Sequence, residues 1–392
     1  MVLNDVTEFV RNGASIKQEK GCKGTPITRI ETISNSRFNY DRLGYADIFD
    51  DKYQDYYLQD NDVLLSHINS EKYLGRSVVY KQRTDENIIH GMNLLCLRFL
   101  KNRYNPSYFC YYSQSDIARM YISRNTKKSV NQASITATAI KNMPIPTTSI
   151  EEQKNVVYHL DSVQSIIDLY NEQMKKLDEL IKSRFVEMFG DPVSNSKRLA
   201  HITLRELSEL ITKGSSPSWQ GFNYVDDETQ TLFITSENVR EGYLDIKSPK
   251  YLEDSFNERQ KKSILKTGDF LINIVGASIG RAAEYSLNRK ANINQAVALV
   301  RLKKGIINNS YLSSYLNSER AFQMYDSMKS DTGRANLSLQ DIGNLIILTP
   351  SIYLQKQYAD FVTQVKKQKA TVQKSIDKLE TLKKSLMQDY FG

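Results

Sequence analysis

The run LDELIKSRFVEMFG (Leu177–Gly190) returns at the end of the chain as LETLKKSLMQDYFG (Leu379–Gly392). Neither copy contains proline, and each ends on glycine, which most readily takes the left-handed conformation that closes a helix. Working outward, ASITATAIKNMPIP (Ala133–Pro146) recurs as ANLSLQDIGNLIIL (Ala335–Leu348) at the same offset of 202 residues. LQDNDVLLSHINSEKYLGR (Leu58–Arg76) recurs two residues shorter as LKTGDFLINIVGASIGR (Leu265–Arg281). TPITRIETI (Thr25–Ile33) recurs as TLFITSENV (Thr231–Val239), and LNDVTEFVRNG (Leu3–Gly13) as LRELSELITKG (Leu204–Gly214). Such self-similarity marks a duplicated unit, here of about 200 residues.

Each half reads as a globule followed by a helix. Ser77–Tyr80, Leu94–Phe99, Phe270–Val275 and Ala296–Leu302 are short apolar runs that predict buried strands. Tyr108–Tyr121 and Tyr311–Met328 predict helices after Asn/Ser-rich starts. From Glu151 to Phe189 there is neither proline nor glycine, and Leu160, Val163, Ile167, Tyr170, Met174, Leu177 and Ile181 recur at alternating three–four spacing. So narrow a stripe suits a coiled-coil seam. Ser149 ahead of Glu151 and Glu152 is a start signal, and Gly190-Asp191-Pro192 is a stop. The second copy places Val362, Val365, Val372, Ile376, Leu379 and Leu386 on the equivalent face. Lys369 and Lys383 stand where the first copy has Ile167 and Ile181, which predicts a weaker seam or one shifted towards Leu382.

The predicted division is a first globule over 1–149, a long helix over 150–190, a second globule over 191–351 and a second long helix over 352–392. A helix of about 38 residues spans roughly 57 Å at ~1.5 Å per residue, and its stripe must be buried. The repeat copy is the obvious partner. The second globule starts where the first helix ends and ends where the second helix starts. Antiparallel helices bring those two points together, so one compact domain can join them. The expected fold is α+β: two similar mixed α/β globules separated by two long antiparallel coiled-coil helices, with an internal pseudo-two-fold repeat. Two recognition units about 57 Å apart match half-sites on duplex DNA separated by on the order of 15 base pairs.

Composition narrows the class. The 392 residues are 40% hydrophobic and 25% charged, with 17 glycines and 8 prolines, which excludes collagen-like and low-complexity chains. Cys22, Cys96 and Cys110 are odd in number and widely spaced, against a disulfide framework. No secretion signal or membrane-length apolar run is legible, so a soluble cytoplasmic protein is expected. The net charge of +8 is unevenly spread: +5 over 1–149, −2 over 150–199, +1 over 200–351 and +4 over 352–392. Any contact with nucleic acid must therefore come from local patches.

The repeat, together with the globule–helix junctions, resembles the specificity (S) subunit of type I restriction–modification systems. The carrying segments are Ala133–Pro146 followed by IEEQKNVVYHLDSV (Ile150–Val163), and TGRANLSLQDIGNLIILTPSIYLQKQ (Thr332–Gln357). Leu354-Gln355 stands where the first half has Glu152-Gln153, and LRELSELITKGSSPSW (Leu204–Trp219) fits the start of a half. The first half departs there, reading Ala14-Ser15-Ile16 after Gly13 with no proline. The resemblance implies a non-catalytic subunit whose globules each read one half of an asymmetric bipartite double-stranded DNA target. The helices would set the unread spacer and dock two modification (methyltransferase) subunits, which methylate adenine. Restriction subunits would add ATP-dependent translocation and cleavage. S-adenosylmethionine, ATP and Mg would belong to those partners, and no cofactor or metal to this chain.

Base edges are read chiefly by Arg, Lys, Asn and Gln, with Ser and Thr in support. Loops rich in these types supply the candidates. The first globule offers Asn69, Lys72, Tyr73 and Arg76 in one loop and Arg124, Lys127, Lys128, Asn131 and Gln132 in another. The second offers Lys213, Ser215, Ser216, Ser218 and Trp219, then Ser278 and Arg281, then Arg334 with Lys329 nearby, and Asn336. The plain alternative is a solvated loop or a phosphate contact; for Gly75-Arg76 and Gly280-Arg281 it is a turn that needs glycine.

Catalytic readings are poor. Asn105-Pro106-Ser107-Tyr108 lacks the second proline of the methyltransferase tetrad and reads better as a helix start. GASIG (Gly276–Gly280) has no P-loop lysine. His67, His90, His159 and His201 show no zinc spacing with the cysteines. The rival reading is a non-enzymatic interaction scaffold with a helical-hairpin core.

Overall fold

The computed structural model describes residues 1–17, 24–34, 36–48, 51–83, 86–129, 132–328 and 336–392. They form two compact units: residues 1–171 with 373–392, and residues 172–372.

In the first unit β1 (Thr7–Asn12), β2 (Val63–Ser66), β3 (Ser77–Val79) and β4 (Leu94–Phe99) form an antiparallel sheet in the order β1-β4-β2-β3. Val63 and Leu65 of β2 pack into one core, while Leu64 between them packs with Ile33, Val78 and Tyr80 in another. Successive side chains face opposite sides of a sheet, so a strand covered on both sides reads as an unbroken apolar run. Behind the sheet lie α1 (Pro106–Tyr112) and α2 (Asp116–Arg124), and α3 (Ile150–Phe189) follows.

The second unit repeats the plan. Its strands β5 (Ser208–Lys213), β6 (Phe270–Asn273), β7 (Ala282–Glu284) and β8 (Val297–Leu302) lie in the order β5-β8-β6-β7. The helices are α4 (Asn309–Leu316), α5 (Glu319–Met328) and α6 (Ile352–Phe391).

Two sequence expectations need correction. Tyr108–Tyr121 and Tyr311–Met328 are not single helices but the pairs α1–α2 and α4–α5. Ser115 Oγ accepts the N–H of Ala118 at 3.3 Å, and Ser318 Oγ accepts that of Ala321 at 3.4 Å. A serine offering this alternative partner starts a new helix instead of continuing the old one. Nor does the second stripe shift to Leu382, which is exposed, while Lys369 and Lys383 stay half-buried in line with the valines. Lys369 pairs with Asp178, and Lys383 donates to Gln164 Oε1 at 2.7 Å over the Tyr111 ring. Their apolar stems lie along the stripe while their ammonium groups find partners.

The remaining stripe residues are buried or half-buried: Leu160, Val163, Ile167 and Leu177 on α3 and Val362, Val365, Val372 and Ile376 on α6 are buried. Tyr170, Met174, Ile181, Leu379 and Leu386 are half-buried. Segments of α3 and α6 run antiparallel within each unit. In the first, His159 meets Tyr390 and Gln164 meets Lys383; in the second, Asp178 meets Lys369 and Phe185 meets Tyr358.

The duplicated FG ending acquires a purpose here. Phe391 enters the first unit's core against Tyr108 and Tyr112, with ring centroids 5.0 and 5.9 Å away. Phe189 enters the second unit's core against Tyr311, 4.8 Å away. Among the described residues no helix is long and apolar enough to cross a membrane.

Candidate nucleic-acid interface

Strand register brings the candidate loops to one end of each four-stranded sheet. In the first unit Asn12 pairs with Leu95 and Ser66 with Leu94, so β1 and β2 end where β4 begins. Beyond β2, Ile68–Asn69 pairs with Ala133–Ser134, which pairs in turn with Lys127–Lys128. Two loops 60 residues apart in sequence thus become one small sheet carrying Asn69, Lys127 and Lys128, with the exposed Gln132 beside it. Asn69 is spent on its own loop, donating to Ser66 Oγ at 3.2 Å and accepting the Ser70 N–H at 2.8 Å. Lys128 pairs with Glu71 at 2.8 Å. Tyr73 is flanked by the cations of Arg76 and Lys72, 4.6 and 5.6 Å from its ring centroid. Arg124 is exposed at the end of α2. Asn131 lies outside the described residues.

In the second unit Lys213 pairs with Ala298 and Asn273 with Val297, so β5 and β6 end where β8 begins. Val275 bridges to Asn336, and the Leu337 N–H reaches Ile274 O at 2.9 Å, as the Ile135 N–H reaches His67 O at 2.9 Å in the first unit. Lys213 and Asn336 are exposed. Ser278 Oγ accepts from Asn273 Nδ2 at 3.1 Å, and Arg281 is half-buried. Ser216 and Ser218 share a 3.0 Å hydrogen bond, and Gln220 donates to Ser215 Oγ at 3.4 Å. These contacts brace a short 3₁₀ turn, Ser218–Gln220, on which Trp219 is 83% exposed. Packing within its loop therefore does not account for this tryptophan. Arg334 and Lys329 lie outside the described residues.

The Gly-Arg pair shared by both halves is a built turn. Gly75 and Gly280 have φ of +78° and +88°, and each N–H returns to the end of the preceding strand, at Ser66 O and Asn273 O. A Cβ would collide with Ile122 at Gly75 and with Tyr325 at Gly280. Glycine is required on both counts.

At the opposite end of each four-stranded sheet, where β2 and β6 begin, sits a buried ion pair that neither spacing nor composition reveals. Arg98 grips Asp62 through Nε at 2.9 Å and a terminal nitrogen at 2.7 Å; Arg301 grips Asp269 at 2.8 and 2.7 Å. Both aspartates are buried, and their hydrogen bonds push the arginine pKa values further up. His67 is buried and held down to about 4 by desolvation, and its Nδ1 has no partner among the described residues. Asn105 caps α1, accepting the N–H of Ser107 and Tyr108 at 2.9 and 3.3 Å, so the Asn-Pro-Ser-Tyr run is a helix start. Among the described residues no group of three or more His, Cys, Asp or Glu side chains is arranged to hold a metal ion.

Sequence reasoning does not single out the turn entering β4 and β8. It presents Met92, 48% exposed, in the first unit and the exposed Gln295 in the second. Only strand register shows that these two residues correspond.

The profile of the family described as type I restriction modification DNA specificity domain matches twice, over residues 1–179 and 203–381. The MjaX type I restriction enzyme specificity subunit of Methanocaldococcus jannaschii is 38% identical over 212 residues, 53% of this chain and 49% of its own length. The EcoBI specificity subunit of Escherichia coli is 20% identical over 298 residues, 71% of this chain and 62% of its own. The chain thus spans about half to under two-thirds of the curated relatives it matches. The crystal structure of a type I restriction–modification S subunit from M. genitalium has the same fold: TM-score 0.54, 14% identity, 100% of this chain and 95% of that one. A chain from a study of complex assembly and conformational transition in the type I system gives TM-score 0.56 at 15% identity, covering 100% and 96%. The chain belongs to the type I restriction–modification DNA specificity family and carries that domain in both halves.

Proposed function

We propose that this protein is the non-catalytic specificity subunit of a type I restriction–modification enzyme. Each unit reads one half of an asymmetric bipartite DNA target. The observation that carries this reading is the paired sheet end: one backbone plan, built twice, with different side chains displayed. Lys72, Tyr73, Arg76, Lys127 and Lys128 gather in the first unit and Lys213, Ser278, Arg281 and Asn336 in the second. Similar scaffolds with unlike tips suit two unlike half-sites.

The long helices set the distance between half-sites and dock two modification subunits, which methylate adenine with S-adenosylmethionine. Restriction subunits bring ATP, Mg, translocation and cleavage. This chain supplies DNA recognition, without a cofactor or metal of its own, in the cytoplasm where the DNA lies. The scaffold alternative has no observation in its favour.

The test is to express the full chain with its modification subunit and map adenine methylation genome-wide. One asymmetric bipartite motif is expected. Exchanging one half of the chain for that of another specificity subunit should change one half-site only; a change in both overturns the modular reading, and the absence of any motif overturns the function.

A further inference from the structure

We infer that the turn entering β8 reads a base through the side-chain amide of Gln295, and that Met92, at the same place in the first unit, reads one through its apolar tip. The inference rests on the DNA-specificity reading proposed above and names the residues that would carry it.

Register establishes the correspondence. Leu94 pairs with Ser66 as Val297 pairs with Asn273, and Met92 and Gln295 each lie two residues earlier. The same bond closes both turns: the Leu94 N–H reaches Gly91 O at 3.1 Å, and the Val297 N–H reaches Asn294 O at 3.3 Å. Both turns rest directly on a glycine backbone. A Cβ at Gly13 would collide with the carbonyls of His90 and Gly91, and one at Gly214 with those of Ile293 and Asn294.

The backbone on either side is pinned. Met92 N–H donates to Ala14 O at 3.1 Å, and Ala14 N–H to His90 O at 2.9 Å. Asn294 N–H donates to Ile234 O at 3.0 Å, and Ile274 N–H to Ala296 O at 2.9 Å. With the backbone pinned, only the rotamer freedom of the side chain itself is left to lose on binding.

What singles out Gln295 is that the polar atoms of its neighbours are either committed or, like the unpartnered Asn273 Oδ1, buried. Asn273 Nδ2 is held by Ser236 O and Ser278 Oγ, Asn292 Nδ2 by Asn257 and Gln260, and Asn294 Oδ1 by the Ala296 N–H. The exposed Gln295 amide has no hydrogen-bond partner among the described residues. A free amide offers one donor and one acceptor side by side, the pattern that matches the N6 and N7 positions of adenine in the major groove; an apolar tip matches the thymine methyl. One fold position thus carries hydrogen-bond readout in one half and apolar readout in the other.

The test uses the full chain co-expressed with its modification subunit, with Gln295→Ala, Gln295→Met and Met92→Gln examined by methylation mapping and thermal unfolding. Gln295→Ala and Gln295→Met should each relax one base pair of one half-site, with discrimination there falling on the order of tenfold. Met92→Gln should alter one base pair of the other half-site. Melting should stay at the wild-type temperature. Unchanged motif stringency in both Gln295 variants overturns the inference while leaving the specificity role intact. So does weakening that is equal at every sequence, the signature of a phosphate contact, and so does a lowered melting temperature, which would make the residue structural. A wild-type complex with no methylation motif overturns the specificity role itself, and this inference with it.

Discussion

Gln355 Oε1 accepts the backbone N–H of Asn308 at 2.8 Å, while its Nε2 donates to the Pro350 carbonyl at 2.8 Å. Gln153 does the same in the first unit, accepting from Asn105 at 2.8 Å and donating to Thr148 O at 2.9 Å. Both glutamines are buried, and each ties the first turn of a long helix to the cap of a globule helix. Gln355→Leu strands a donor and an acceptor away from water, at a cost of about 1–3 kcal/mol. The expected result is a lower urea midpoint with unchanged slope; an unchanged midpoint would show that water replaces the amide.

Arg301→Met should be worse. It leaves the buried Asp269 carboxylate without its bidentate partner, and breaking such a pair costs about 3–5 kcal/mol. The double substitution Asp269→Leu with Arg301→Met removes the uncompensated charge and should recover much of the loss. Chemical denaturation of the two variants measures the difference, and Asp62 with Arg98 offers the same test in the first unit.

His67 supplies a pH dependence. Its folded pKa, about 4, lies below the ordinary value of 6.5, so the unfolded chain takes up a proton that the native state refuses. Its contribution is fully present above pH 6.5 and is lost as pH falls towards 4. The equivalent residue in the second unit is the buried Ile274. His67→Ile should therefore flatten the fall in melting temperature between pH 6.5 and 4; an equally steep fall would locate the dependence elsewhere.

Gly280→Ala and Gly276→Ala separate two causes. Both positions have positive φ, +88° and +80°, but a Cβ at Gly276 meets nothing while one at Gly280 strikes Tyr325 and Phe322. Gly276→Ala should cost the backbone term alone, on the order of 1 kcal/mol. Gly280→Ala should cost clearly more, read as a larger drop in melting temperature. Equal losses would mean that the Tyr325 ring gives way freely.

Much of the architecture was legible in residue order. The Leu160-to-Ile181 stripe, the Ser149 start and the Gly190 stop are local signals, since a helix's face repeats every three to four residues and its ends depend on nearest neighbours. The break between α1 and α2 was not, because Ser113-Gln114-Ser115 lies inside an otherwise acceptable helical pattern and only the cap on Ala118 reveals it. Lys383 likewise reads as an interruption until Gln164 and the Tyr111 ring are seen around its ammonium group.

The sequence by itself determined the duplication and the two long helices, because repeats and periodicity are properties of neighbouring residues; the need for glycine at 75 and 280 follows only once Ile122 and Tyr325 stand against them. Tertiary structure alone decided which side chains share a surface. The pairing of Ile68–Asn69 with Ala133–Ser134 joins loops that no spacing links, and strand register makes Met92 the counterpart of Gln295 despite their unlike chemistry. Such proximity comes from hydrogen bonds between distant strands and from the burial of both sheet faces, which depend on the whole folded chain.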